Sequence, residues 1–61
     1  MATDRDVARA ARNLIIEHGA AAESIALARA KNAEESNRPG EAHTWRNIAA
    51  AVRRSQGRPD R

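Results

Sequence analysis

The stretch 41–56, EAHTWRNIAAAVRRSQ, holds the only aromatic residue of the chain, Trp45. Trp45, Ile48, Ala49 and Val52 recur at the i, i+3, i+4, i+7 spacing that lines one face of an α-helix. Ala42 and Gln56 extend this stripe by one turn each way. A 61-residue chain with one tryptophan has no larger packing element. The other helices are therefore expected to gather around Trp45.

Two sets of breakers place those helices. Thr3 is a good N-cap, and Asp4 and Asp6 follow in a first turn where the helix dipole favours negative charge. A helix over about 4–18 then carries an apolar face of Val7, Ala8, Ala11, Leu14, Ile15 and His18. Gly19 fits the left-handed position just past its end. A second helix over about 21–36 has an apolar arc of Ala22, Ile25, Ala26, Ala30 and Ala33, with Arg29 inside it. Small side chains there allow another helix to approach closely. Asn37-Arg38-Pro39-Gly40 breaks the chain again. The third helix opens near Glu41 and is ended by Gly57 and Pro59. The expected fold is all-α: three short helices, about 4–18, 21–36 and 41–56, packed around Trp45 in one small domain. Residues 57–61 are expected to form a frayed polar tail.

Composition limits what that domain can do alone. Hydrophobic residues make up 41% of the chain, but 15 of those 25 residues are Ala. With so few large apolar side chains and no Cys for a disulfide or thiolate–zinc staple, the monomer is expected to be marginal. Self-association or a partner would supply the missing stability. No apolar run approaches the ~20 residues of a membrane span, and the N-terminus lacks the apolar region of a signal peptide. The expected location is the cytoplasm, with no membrane partner.

Leu14-Ile15-x-x-His18-Gly19, Arg29-Ala30 and Trp45-x-x-Ile48-x-x-Ala51-Val52 form a pattern. In it the chain resembles a group of short bacterial helical proteins that share LI-x-x-HG, then RA, then W-x-x-I-x-x-AV. The resemblance spans about residues 7–52. It implies the helical fold and carries no activity with it.

Chemistry finds little footing. His18 and His43 could ligate a metal with Glu17 or Glu41, but no HExxH or His at i+4 exists. His18 reads better as a helix-ending cap and His43 as a surface residue. Ser24, Ser36 and Ser55 have no His at useful spacing, and Glu34 and Glu35 diverge on a helix. The three glycines are isolated breakers rather than a phosphate loop. No enzyme, cofactor or metal site is expected. Arg29 could anchor a partner, but its stem could equally lie across Trp45 or pair with Glu17 or Glu41, and the structural reading is preferred.

Surface charge is more informative. Arg5, Arg9 and Arg12 fall at +4 and +3 spacing on the side of the first helix away from Val7 and Leu14, and Ile16 completes the stripe. No acidic residue lies four positions away from any of the three arginines. Leu27 falls on the polar side of the second helix. The third helix has a basic side containing Arg46, Arg53 and Arg54. The alternative is a merely solvated charged face. Net charge of +3 is weak support for nucleic acid, because eight carboxylates offset most of the eleven basic residues. Three helices with a basic third also resemble a helix-turn-helix only superficially, since mostly Ala lies between its arginines.

The function expected from these residues is a protein–protein interaction module, an adaptor or accessory subunit. Its partner would be another protein or a second copy of the chain. Arg5, Arg9, Arg12, Ile16, Leu27, Arg46 and Arg53 are the candidate partner-binding residues. An Arg-mediated nucleic-acid-binding protein is the alternative.

Overall fold

The computed structural model describes residues 3–56, and every regular element in them is helical. Helix α1 spans Asp4–His18, a 3-10 turn covers Gly19–Ala21, α2 spans Ala22–Glu35 and α3 spans Pro39–Gln56. No loop separates α1 from α2. The chain therefore makes two uninterrupted helical runs, 4–35 and 39–56, rather than three separate helices. The expected polar tail, with Gly57 and Pro59, lies outside the described residues.

Each junction has a local cause. Thr3 caps α1: its Oγ1 accepts from the Asp6 N–H at 3.2 Å, and Asp6 Oδ2 accepts from the Thr3 N–H at 3.3 Å. This reciprocal box satisfies two donors at the helix start. Gly19 ends α1 with its N–H donating to the Ile15 carbonyl. Its φ of 58° comes with ψ of −125°, so it is not the left-handed helical cap expected but a conformation that almost only glycine adopts. That ψ turns the chain directly into the 3-10 turn.

The left-handed cap is found instead at Asn37, with φ 63°. Here the Arg38 N–H donates to the Ala33 carbonyl at 2.8 Å and the Asn37 N–H to the Glu34 carbonyl at 3.0 Å. This is a Schellman closure of α2, with Asn in the glycine position. Pro39 and Gly40 do not lie in the break as expected. Pro39 is the first residue of α3, where its missing N–H costs nothing and its fixed φ suits the helix.

The core lies where α3 meets both other helices. It contains Ala11 and Leu14 from α1, Ala22 and Ala26 from α2, and Ile48, Ala49 and Val52 from α3. Val52 is fully buried, and no larger side chain is so among the described residues. Trp45 is half-buried at the rim of this cluster, so the expected packing around Trp45 is corrected to packing around Val52. The reason is the neighbour across from each residue. Trp45 sits seven positions nearer the start of α3 and lines a cleft with Arg29, Asn32 and Ala33 of α2. Val52 sits where all three helices converge.

Along the rest of their length α2 and α3 meet through alanine. Ala22, Ala26, Ala30 and Ala33 recur on one face of α2 and are buried, as are Ala42 and Ala49 on α3. Methyl groups permit close approach of the two helix backbones. Gln56 closes the other end, its Nε2 donating to the Gly19 carbonyl at 2.8 Å. This bond ties the end of α3 to the α1–α2 junction. Helix α1 contributes only Ala11 and Leu14 as buried residues, and Val7, Ala10 and Ile15 are half-buried. Ala8 and His18, expected on its core face, are exposed.

Candidate interaction surface

The α1 stripe stands on the surface as a set. Arg5, Arg9 and Arg12 are all exposed, and with Ala8 they line a shallow cleft of about 240 Å³. Among the described residues, no carboxylate lies within ion-pair distance of any of them. Of the acidic side chains in the first turn, Asp6 turns back to the Thr3 N–H. Ile16, one turn on from Arg12, is 73% exposed. An apolar side chain thus stands in water at the end of a cationic row.

A second feature forms only when α1 meets α3. The two helices leave between them an open groove of about 570 Å³. Its floor is small and apolar: Ala8, Ala11 and Ile15 from α1 and Ala51 from α3. Arg12 stands on the α1 side, Arg54 on the α3 side, and Ile16 and Ser55 complete the lining. The lining contains no carboxylate. Arg54 closes α3 with Arg53, where positive charge is favourable against the helix dipole. Ala8, Ala51 and Ser55 were not among the residues expected to contact a partner, and Arg54 entered only as part of a basic side. Their grouping depends on which α3 residues face α1, which no single-helix pattern contains.

The other candidates divide. Leu27 is 48% exposed on α2 and lines neither of these clefts. Arg53 is exposed near the end of α3 but also stands outside the groove lining. Arg46 is engaged: its guanidinium pairs with the Glu34 carboxylate across the α2–α3 seam. Such half-exposed pairs contribute on the order of 0–1 kcal/mol, so this one orients the helices more than it holds them. Arg38, just before α3, makes a similar contact with Glu41 in its first turn at 3.6 Å. Arg29 lies over the Trp45 ring at 5.1 Å from its centroid, the structural arrangement preferred from the sequence.

His18 Nε2 is 3.7 Å from a Glu17 carboxylate oxygen, and His43 is exposed. Among the described residues no three His, Cys, Asp or Glu side chains gather as a metal site would require. No helix of these residues is long and apolar enough to cross a membrane. No protein-family model, curated protein or solved structure matches the chain.

Proposed function

We propose that this chain is a small helical protein–protein interaction module, an adaptor or accessory subunit, that docks through α1 and the α1–α3 groove. The observation that carries the reading is Ile16, 73% exposed beside an apolar groove in a chain that has few large apolar side chains. Single exposed apolar residues are ordinary, but here the exposed side chain continues an apolar floor. Burying it would contribute about 1.5–3 kcal/mol to an interface. The arginines beside it would set encounter rate and specificity more than raw affinity.

The double variant Arg9→Glu plus Ile16→Asp tests this. Both positions are exposed, so helical circular dichroism and the thermal melt should match the parent. Co-purification of partners from a nuclease-treated native extract should be lost. A folded variant that retains every partner would reduce this face to a solvated surface, and the search would move to Leu27 and Arg53.

Arg-mediated nucleic-acid binding is the second reading. It is supported by the three α1 arginines that lack a carboxylate partner among the described residues. Salt separates the two. Added salt weakens phosphate-mediated binding with a log–log slope of roughly −0.9 per phosphate neutralised on duplex DNA, whereas a mainly apolar helix interface responds little.

A further inference from the structure

From the α1–α3 groove we infer the chemistry of the partner: an acidic amphipathic helix, apolar along one stripe and carrying carboxylates on both flanks. The inference rests on the interaction-module reading and adds the occupant. Its basis is the pairing of two properties in one groove. The floor is apolar, with three alanines, Ala8, Ala11 and Ala51, beside Ile15, so it accepts the apolar ridge of another helix. The two sides are cationic, with Arg12 on α1 and Arg54 on α3. Arg5 and Arg9 continue the positive side along α1. No carboxylate lines the groove to neutralise them.

An occupant must match both properties at once. A nucleic-acid backbone would satisfy the arginines but leave Ile15 and Ile16 facing phosphates and water. The groove lining also has no aromatic side chain on which a base could stack. A second copy of the chain joined through the same face would set Arg12 and Arg54 against the arginines of its twin, as a two-fold contact repeats one patch on both sides. A basic or neutral helix would fill the floor and leave the cationic sides unmatched. An acidic amphipathic helix places apolar side chains on the floor and carboxylates against Arg12 and Arg54. Both guanidiniums are suited to two-pronged carboxylate contacts. Helix α1 has 15 residues, roughly 22 Å of length, which defines the span available to such a ligand.

The test uses the full chain and two synthetic peptides, each held helical by a hydrocarbon staple. One has leucines at i, i+3, i+4 and i+7 flanked by glutamates; its twin has lysines in place of the glutamates. Binding is read by fluorescence anisotropy at about 0.15 M salt, and the contact site by amide chemical-shift mapping. A labelled single-stranded oligonucleotide and sedimentation of the free protein run in parallel. The expected result is saturable binding of the glutamate peptide, with shifts confined to α1 and the last turns of α3. The lysine twin should bind at least about tenfold more weakly. Ile16→Asp and the pair Arg12→Glu, Arg54→Glu should each weaken the glutamate peptide about tenfold or more, with unchanged circular dichroism. Rescue of the lysine twin by the Arg12→Glu, Arg54→Glu protein would separate charge matching from loss of fold.

Equal binding of both peptides in the groove would overturn the acidic partner and leave the docking site standing. A groove silent to both peptides would overturn the inference and the α1–α3 docking reading together. Oligonucleotide binding that depends on the same arginines, without peptide binding, would do the same in favour of nucleic acid. A free protein that sediments as a dimer with groove amides protected would replace the acidic helix by a second copy.

Discussion

The two faces of α3 are built on different principles. Toward α2 it presents a seam of small residues: Ala22, Ala26, Ala30 and Ala33 lie buried on α2, and Ala42 and Ala49 lie buried on α3. Contacts at the margins orient the two helices: Glu34 with Arg46, and Arg29 over Trp45. Toward α1, only Ala11 and Leu14 are buried on the facing helix, and a groove of about 570 Å³ stays open. The lesson is that close packing and availability for a partner are exclusive uses of one apolar face. Alanines line both sides, but they are buried along the α2 seam, whereas on the α1 side Ala8 is exposed and the branched Ile15 and Ile16 stay partly or largely exposed. Helix α1, the element proposed for binding, also has the fewest buried residues of the three α-helices, as expected of low-stability regions that serve recognition.

The contrast is sharpest when the same substitution is made on each side. Ala26→Leu adds bulk where nothing is exposed and should cost about 1–3 kcal/mol, enough to shift the urea midpoint of a small domain strongly. Ala8→Leu adds the same bulk to an exposed position on the groove floor and should change stability by no more than about 0.5 kcal/mol. Equal midpoint shifts for the pair would erase the distinction between seam and groove.

Trp45→Ala sharpens the position of the core. A fully buried Trp→Ala change costs about 3–5 kcal/mol. Trp45 is half-buried at the rim, so about 2 kcal/mol is expected, measured by chemical denaturation followed by circular dichroism. A loss in the upper range would return Trp45 to the centre and demote Val52.

The two glycines supply modest effects of opposite sign. At both Gly19 and Gly40 an added Cβ meets nothing within 4 Å, so space is equal and only the backbone differs. Gly19 has φ of 58°, and Gly19→Ala should cost about 1–2 kcal/mol. Gly40 lies in the first turn of α3 without that restriction, and Gly40→Ala should stabilise by about 0.4–1 kcal/mol. Matched melts of the two variants moving in the same direction would show that the junction at Gly19 is not held by its backbone conformation.

Most of the helical architecture was legible in single residues. Thr3 begins α1 and Gly19 ends it, at the positions expected from capping chemistry. The buried face of α2 follows the alanine spacing, and among the described residues Ile16 and Leu27 are the exposed large apolar side chains, in keeping with their place off the core faces. The errors occurred where two signals competed. Asn37-Arg38-Pro39-Gly40 read as four breaking residues, yet Pro39 and Gly40 start α3, because proline is compatible with a helix's first position. Gly19 read as a terminus, yet its ψ carries the chain into a 3-10 turn, so α1 and α2 stay in one helical run.

What the sequence determined by itself was local: the cap of α1 at Thr3, the alanine stripe of α2, and which large side chains fall off the apolar stripes. These depend on propensity, capping and a 3.6-residue period, all properties of neighbours along the chain. Only tertiary structure decided which stretch of α3 each helix meets. That choice moved the core from Trp45 to Val52, since side-chain size does not say where three helices converge. It also joined Arg12, Ile16 and Arg54 around a single groove, from positions up to forty-two residues apart in the sequence. Residues so far apart along the chain become neighbours only through helix–helix packing, which maximises buried apolar surface over the whole molecule and leaves no trace in any one helix's pattern.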